Sequence, residues 1–193
     1  DMYPEGDAIN GNADSSHWGS AYNFPAANRG DILKEVFEPR LPSGMFGFVF
    51  NTRKPIFADE KLREGLSYVL DFEWLNRNIL GGAFSRTQSY WQNSSLGAYG
   101  NPANEKELAL LGDAAKRLSP EILAGTYMMP VSDGSGADRK VLRKAVDLLQ
   151  EAGYKITGGR MVDANGRQLA FEVMTQNPAQ ERIALAYQRS LNL

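Results

Sequence analysis

The chain has 193 residues, of which 42% are apolar, so it is long enough to bury one sizeable core as a globular domain. Its 21 basic and 23 acidic residues are scattered and give a formal charge of -2, so no basic stripe neutralises a phosphate backbone, which argues against a nucleic-acid partner. The absence of cysteine excludes disulfides, thiolate zinc sites and cysteine nucleophiles.

The first 30 residues are rich in Gly, Asn, Ser, Asp and Pro and have no apolar periodicity, which predicts irregular structure. Two apolar stretches follow, Ile32 to Phe37 and Met45 to Phe50. The segment between them ends in Pro-Arg-Leu-Pro-Ser-Gly, which is typical of a turn. This pattern predicts two strands.

Helical periodicity begins after Asp59, where apolar residues recur on one face: Leu62, Leu66, Val69 and Leu70. Asp71 is a suitable N-cap for a second helix, from Phe72 to Leu80. Gly81-Gly82 is suited to end that helix, because glycine accepts the left-handed conformation of a helix C-terminus.

Residues 83–104 are aromatic and polar and predict a long loop. Two short helices are predicted beyond it, one over Glu105 to Leu111 and one that Ser119 caps, with Pro120 at its first position. A loop rich in Gly, Ser and Asp covers residues 132–137.

Asp138 is the predicted N-cap of a further helix that Gly153 ends. Residues 160–174 predict a β-hairpin whose turn is Asp163-Ala-Asn-Gly166 and whose returning strand alternates Leu169, Phe171 and Val173. A last helix is predicted from Pro178, with Asn177 as its cap, to the end of the chain.

No catalytic motif, metal site or cofactor site is predicted. His17 is the only histidine, which excludes a Ser-His-Asp triad and a multi-histidine metal site. Gly134-Ser-Gly136 lacks the third glycine of a dinucleotide fingerprint and the Lys-Ser/Thr of a phosphate loop. The turn at Asp163 resembles the opening of a calcium loop, but no glutamate follows at the required position, so a hairpin turn is favoured.

Carboxylates leave one enzymatic alternative open. Asp71 with Glu73, or Glu121, could form a general acid/base pair of the kind that glycosidases use. The structural interpretation is favoured, because Asp71 suits a helix cap and Glu73 suits a solvated helix face.

The stretch Phe84 to Asn93 has the composition of a binding loop, since it combines aromatic rings, amides and a guanidinium. Arg86 could hold a carboxylate through two hydrogen bonds, which suits a peptide ligand. Tyr90 and Trp91 have two interpretations: they pack the loop onto the core, which is the commoner role of large aromatics, or they contact a ligand.

Residues 48–71, FVFNTRKPIFADEKLREGLSYVLD, resemble the segment of family 5 extracellular solute-binding proteins in which an asparagine-ended strand leads to a Pro-x-Phe-x-Asp turn and a helix closing in Asp. This family is the peptide, dipeptide and nickel-binding group of ABC importers. Residues 138–154, a helix ending in Ala-Gly-Tyr, and residues 169–191, a strand and a helix, also resemble it. Gly65 is a departure, because the family often has Ala there.

Smaller details resemble the Yej-type branch, which includes oligopeptide and microcin C importers. They are His17-Trp18 with Tyr22-Asn-Phe-Pro25, Asp71-Phe-Glu-Trp74 and Arg86-Thr-Gln-Ser-Tyr90.

The resemblance implies an α/β fold: one lobe of a two-lobed periplasmic binding protein of type II, cluster C, with a mixed sheet flanked by helices. It implies an irregular leader and approach to the hinge over residues 1–44, and a second lobe over residues 45–193 that is truncated on its C-terminal side. The first lobe of the same protein is then missing. The chain's start at Asp1, without methionine, and its apolar end at Leu191-Asn-Leu193 indicate a piece of a larger fold.

The implied function is that of the substrate-binding component of an ABC importer, which is not an enzyme and needs no cofactor. It captures oligopeptides or peptide-like solutes in the periplasm, in the cleft between two lobes, and delivers them to permease subunits in the inner membrane. Strand ends and loops are where α/β folds bind ligands. The predicted ligand-binding residues are Asn51, Arg86, Tyr90, Trp91, Thr175, Gln176 and Asn177. A non-peptide solute, such as a nickel complex or a sugar, and a carboxylate-based hydrolase are the alternatives.

Overall fold

The computed structural model describes residues 24–32, 41–42 and 44–193. The helices are α1 (Pro25–Asn28), α2 (Glu60–Val69), α3 (Phe72–Asn78), α4 (Glu105–Leu111), α5 (Pro120–Leu123), α6 (Arg139–Glu151) and α7 (Pro178–Leu191), with 3₁₀ helices at Pro55–Phe57 and Gly112–Arg117. The strands are β1 (Lys155–Thr157) and β2 (Arg160–Val162). None of the helices in these ranges combines the length and the apolar character that crossing a membrane requires.

The helix starts follow the caps predicted at Asp71, Ser119, Asp138 and Asn177, and Asp59 is a further cap that was not predicted. A side-chain oxygen accepts a hydrogen bond from a backbone N–H of the first turn at Asp59, Asp71, Ser119, Asp138 and Asn177. Such caps satisfy amides that have no partner within the helix. Helix α3 ends at Asn78, two residues earlier than predicted, and Gly81 and Gly82 beyond it have positive φ angles of 67° and 73°.

The chain divides into two compact units. Of the described residues, unit 1 contains 24–32, 48–84 and 130–193, and therefore holds α1 to α3, α6, α7 and the sheet. Unit 2 contains the described residues 41–42, 44–47 and 85–129, and therefore holds α4, α5 and the second 3₁₀ helix. Unit 2 interrupts unit 1 in sequence, so the core of unit 1 joins segments that are far apart along the chain.

The packing of α2 against α6 forms the centre of unit 1. Leu62 and Leu66 of α2 and Leu149 of α6 are buried together with Phe57, and Phe50 and Phe171 pack against this cluster. Gly65 is buried at the same contact. A Cβ atom there would lie 3.1 Å from Leu149 Cγ and 3.2 Å from the Ala145 carbonyl oxygen, so the glycine permits this close approach of the two helices.

Helix α7 joins the same core through Tyr187. This residue is buried with Val69 and Ala145, and its ring stacks on Phe48 with 5.4 Å between the ring centroids. Its hydroxyl donates a 2.9 Å hydrogen bond to the carbonyl oxygen of Leu66. Three helices therefore share one apolar core, and the buried phenol has a hydrogen-bond partner, as burial of a polar group requires.

Unit 2 is held together differently. Among its described residues only two glycines, Gly97 and Gly125, are buried. Backbone hydrogen bonds close its turns, including Gly100 N–H to the Gly125 carbonyl at 2.8 Å and Ala103 N–H to the Leu123 carbonyl at 2.8 Å. Its described part thus relies on turn geometry and not on a buried cluster of large apolar side chains.

The hairpin prediction is partly right. The turn at Asp163–Gly166 forms, and Leu169 N–H donates to the Met161 carbonyl at 2.8 Å. However, the regular partner of β2 is β1, which precedes it and pairs antiparallel with it through Gly158 and Gly159. The predicted returning strand over Leu169 to Val173 is wrong as a regular strand, since these residues have no strand assignment.

Three further expectations need correction. Met45 to Phe50 form no regular strand, and part of the predicted irregular leader, Pro25–Asn28, is helical. The described residues contain one two-stranded antiparallel sheet and not the predicted mixed sheet. Alternating apolar residues form a strand only where a second strand supplies hydrogen-bond partners, and sequence periodicity does not reveal that partner. Most of the other predicted strand, residues 33–37, lies outside the described residues.

Truncation of Leu148 tests the central packing. Its side chain on α6 is 0% exposed, so we expect Leu148→Ala to lower the free energy of unfolding by about 2–5 kcal/mol through lost burial and the cavity it leaves. Leu185→Ala on α7 is the matched control, because Leu185 is 55% exposed. Urea unfolding followed by circular dichroism measures both, and equal losses would contradict the assignment of Leu148 to the core.

Tyr187 predicts an alkaline loss of stability. Burial raises the pKa of its phenol above its usual value of about 10. Above that pH the unfolded chain loses the proton first, so stability falls by up to about 1.4 kcal/mol per pH unit as pH rises. We expect unfolding free energies measured near pH 9 and near pH 11 to fall further for the wild type than for Tyr187→Phe. Parallel losses in the two proteins would contradict this role.

Candidate functional site

The predicted ligand-binding residues are divided between the two units. Asn51, Thr175, Gln176 and Asn177 belong to unit 1, whereas Arg86, Tyr90 and Trp91 belong to unit 2. The four in unit 1 lie in two separate segments: Asn51 directly follows Phe50, which packs against the core, and residues 175–177 follow Met174, which is 95% exposed. The three in unit 2 lie in one loop.

Asn51 is exposed and follows Phe50, which packs against the core of unit 1. Its side-chain oxygen accepts a 3.2 Å hydrogen bond from Arg53 N–H, and its carbonyl accepts one from Lys54 N–H at 2.9 Å. The residue therefore closes the turn that leads into the 3₁₀ helix at Pro55–Phe57. Asn51 was predicted to end a strand, but residues 45–50 form no regular strand, and its role in ligand binding stays a prediction.

Thr175, Gln176 and Asn177 are all exposed at the start of α7. The Asn177 side-chain oxygen accepts from Gln180 N–H at 2.9 Å, and the Gln180 side-chain oxygen accepts from Gln176 N–H at 2.7 Å. Asn177 is therefore a helix cap as well as a candidate ligand residue. Its replacement by alanine would weaken α7 even if no ligand were bound.

The loop of unit 2 presents two aromatic side chains. Tyr90 is 72% exposed and Trp91 is 59% exposed, so most of each ring is not packed against the described part of the chain. The loop around them is ordered by local hydrogen bonds, since Gln88 N–H donates to the Gln92 side chain at 2.6 Å and Ser94 N–H donates to the Trp91 carbonyl at 3.1 Å. Arg86, at the start of this loop, is half-buried.

Asp71 and Glu73 meet at one serine that the sequence did not single out. The Ser132 hydroxyl hydrogen-bonds to the Asp71 carboxylate and lies 2.8 Å from Glu73 Oε2. Glu73 also accepts from Ser132 N–H at 2.9 Å, and Asp71 accepts from Gly136 N–H at 2.8 Å. Glu73 is therefore not the simple solvated residue that was predicted. Both carboxylates hold the loop over residues 132–137, and Glu121 belongs to the other unit.

The same contacts account for the glycines of this loop. The N–H of Gly134 donates to the Ser132 hydroxyl at 3.2 Å, and a Cβ at Gly136 would lie 3.0 Å from the Trp74 ring. Both glycines have positive φ angles, 71° and 82°. The Gly-Ser-Gly sequence thus serves a tight loop whose amides bind carboxylates of the protein itself, which agrees with the structural interpretation over a phosphate loop.

Metal binding and cavities add no further candidate. The residues that the structure describes contain no group of three or more His, Cys, Asp or Glu side chains arranged to hold a metal ion. A shallow depression in unit 1 is lined mainly by apolar atoms of α2, α6 and the end of α7, including Tyr68, Val141 and Leu193. None of the predicted ligand-binding residues lines it.

The comparison with protein families is decisive for the class of this chain. Residues 5–193 match the model described as bacterial extracellular solute-binding proteins, family 5, middle part. The chain belongs to this family. The resemblance predicted from residues 48–71 is confirmed, and family 5 is a family of binding proteins and not of enzymes.

Three relatives of this family 5 chain illustrate its position. It is 78% identical over 193 residues to the peptidoglycan-binding protein YepA of Agrobacterium fabrum, covering 100% of the chain and 31% of that protein. It is 38% identical to the probable peptide-binding protein YejA of the same organism over 93% of the chain and 30% of that protein. It is 34% identical to the uncharacterized protein YejA of Escherichia coli over 92% of the chain and 30% of that protein. The Yej-type branch is thereby confirmed, and the chain spans about 30% of the length of these relatives.

Removal of the Asp71 carboxylate tests its structural role. Asp71 is 9% exposed and accepts hydrogen bonds from Trp74 N–H, Ser132 and Gly136 N–H. Each buried donor left without a partner costs roughly 1–3 kcal/mol, so we expect Asp71→Ala to lower the unfolding free energy by at least about 2 kcal/mol.

Glu121→Ala is the control for this prediction, because Glu121 is an exposed carboxylate in unit 2. Guanidinium unfolding of both variants gives the comparison. An Asp71→Ala protein as stable as the Glu121→Ala protein would show that Asp71 does not hold the loop.

Proposed function

We propose that the protein to which this chain belongs is the substrate-binding component of an ABC importer that captures peptides or peptide-like solutes. The observation that carries this proposal is the match to family 5 over residues 5–193, together with the relative named as a probable peptide-binding protein. The chain is the larger part of the second lobe in this proposal, over residues 45–193. The first lobe and the C-terminal remainder of the second lobe lie outside the chain in this proposal.

A peptide-bearing fragment of peptidoglycan is the proposed ligand. The relative at 78% identity is named a peptidoglycan-binding protein, and a more distant one a probable peptide-binding protein. Both names are compatible with one ligand class, because peptidoglycan consists of glycan strands that carry short peptides. At 78% identity most ligand contacts made by this segment would be retained in both proteins.

The proposed mechanism is closure of two lobes over the ligand. Contacts that exist on both lobes only in the closed state shift the equilibrium toward that state. The closed protein then docks on permease subunits in the inner membrane, which places it in the periplasm. The candidate contacts from this chain are an arginine for carboxylates, Arg86, two exposed aromatic faces, Tyr90 and Trp91, and the polar groups of Asn51 and residues 175–177.

Calorimetry on the complete protein tests the ligand class. Three probes are compared: a peptidoglycan disaccharide that carries its peptide, the same peptide without sugar, and the same disaccharide without peptide. We expect the intact fragment to bind most tightly, the free peptide more weakly, and the bare disaccharide weakest. Equal binding of the disaccharide with and without its peptide would overturn the peptide proposal, and absence of binding by all three would overturn the ligand class.

Substitutions in the complete protein test the ligand-binding residues. We expect Trp91→Ala to weaken binding of the preferred probe by about tenfold or more, as loss of an aromatic anchor does. Tyr99→Ala is the matched control, because Tyr99 is another exposed aromatic residue of unit 2 outside the proposed set. Similar affinities of the two variants would remove Trp91 from the site.

Two further residues of the proposed set, Asn177 and Arg86, need variants that preserve the fold. Asn177→Ser keeps an oxygen to cap α7 and removes only the amide, and Arg86→Lys keeps the charge and removes the two-pronged hydrogen-bond geometry. We expect each to weaken binding several-fold without a change in melting temperature. Unchanged affinity in both would remove Arg86 and Asn177 from the proposed site.

A further inference from the structure

Two of the places where the chain passes between the units lie at Phe84–Ser85 and Met129–Pro130. On the side of unit 1 the outgoing chain is held by Asn76 of α3. The Asn76 side-chain oxygen accepts from Phe84 N–H at 3.2 Å, and its amide nitrogen donates to the Phe84 carbonyl at 2.5 Å. One side chain thus binds both backbone groups of the last residue of unit 1 before the passage.

The returning chain is held by the same helix. Ser132, two residues beyond Pro130, binds Glu73 of α3 through its N–H and its hydroxyl, and it binds the N-cap Asp71. Arg77 adds a longer hydrogen bond of 3.4 Å to the Gly134 carbonyl. Helix α3 and its N-cap therefore fix both chains on the side of unit 1.

On the side of unit 2 the side chain of Gln88 connects the two chains. The Gln88 side-chain nitrogen donates to the Arg86 carbonyl at 3.3 Å, and its side-chain oxygen accepts from Met129 N–H at 2.8 Å. Gln88 is half-buried, so water competes less for these bonds than at a fully exposed site. The first residues of the loop and the last residue of unit 2 are thereby tied together.

We propose that residues 84–88 and 129–132 form a two-chain connector, clamped by α3 at its unit 1 end and by Gln88 at its unit 2 end. Because each clamp holds both chains, the chains move together, and the connector bends as a hinge about few backbone torsions. Either chain alone would allow independent rotation about each of its bonds. The inference rests on these hydrogen bonds and is independent of which ligand the protein binds.

Spin labels provide the test, because the chain contains no cysteine and two introduced cysteines are therefore unique. Gln150→Cys labels an exposed position of α6 in unit 1, and Leu110→Cys labels a position of unit 2 that is 89% exposed. Pulsed electron resonance gives the distribution of distances between the labels. We expect Gln88→Ala to broaden that distribution and Gln188→Ala, an exposed glutamine of α7, to leave it unchanged.

Hydrogen exchange of the same variants shows whether the intended bond was broken. We expect Gln88→Ala to speed exchange of the Met129 amide by roughly threefold to tenfold, the factor expected from one net hydrogen bond. Faster exchange of the Met129 amide with an unchanged distance distribution would overturn the connector. The hydrogen bond between Gln88 and Met129 would then have been broken without any effect on the motion of the two units. Unchanged exchange would overturn it by showing that the bond does not form.

Asn76→Ala tests the clamp at the other end. We expect it to broaden the distance distribution as well and to speed exchange of the Phe84 amide, while the amides of α6 keep their protection. Acceleration that includes α6 to the same degree would show general destabilisation and would overturn a local role for Asn76. Asn76→Asp is a second variant that keeps the acceptor for Phe84 N–H. We expect it to restore most of the wild-type protection of the Phe84 amide, and exchange as fast as in Asn76→Ala would contradict the clamp.

Discussion

The close approach of α2 and α6 at Gly65 is the constraint on which unit 1 depends. A methyl group at that position would meet Leu149 and the Ala145 backbone at 3.1 and 3.2 Å, so the distance between the helices is set by the missing side chain. Leu62, Leu66 and Leu149 close around this contact. Tyr187 then reaches the Leu66 carbonyl and brings α7 onto the same surface. The departure from the alanine common in family 5 is therefore a packing feature of this chain.

Outside this core, polar side chains hold the neighbouring chain segments in place through hydrogen bonds. The loop over residues 132–137 and the last residue before unit 2 are held by Asp71, Glu73 and Asn76, which belong to α3 or cap it. Buried or half-buried hydrogen bonds of this kind specify one arrangement of a loop more sharply than apolar contacts do, because an unpaired partner is costly. This is why two carboxylates and an amide so close in sequence have structural roles, although carboxylate pairs also occur in active sites.

Prediction from the sequence succeeded where the relevant contacts are local. The predicted caps at Asp71 and Asn177 bond to residues three positions away, so their sequence spacing contains the whole interaction. The prediction of a strand over Met45 to Phe50 was wrong, because a strand needs a partner strand and the apolar periodicity does not identify that partner. Ser132 was missed for a related reason: its partners Asp71 and Glu73 lie about 60 residues earlier, and no local pattern links them. The ligand-binding residues stay predictions; the structure shows six of them exposed and Arg86 half-buried, in segments of two units.

The insertion of unit 2 into unit 1 has a consequence for the order of folding. Helix α2 finishes at Val69, but its main partner α6 begins only at Arg139, after the whole of unit 2 has been made. At a synthesis rate of roughly 5–20 residues per second, several seconds pass between the synthesis of α2 and that of α6. During this time Leu62 and Leu66 lack the helix that buries them. Such distant pairing also slows the search for native contacts. The nascent segment therefore exposes an apolar helix face for longer than a chain with neighbouring partners would, and during that time the face is open to other contacts before the core closes.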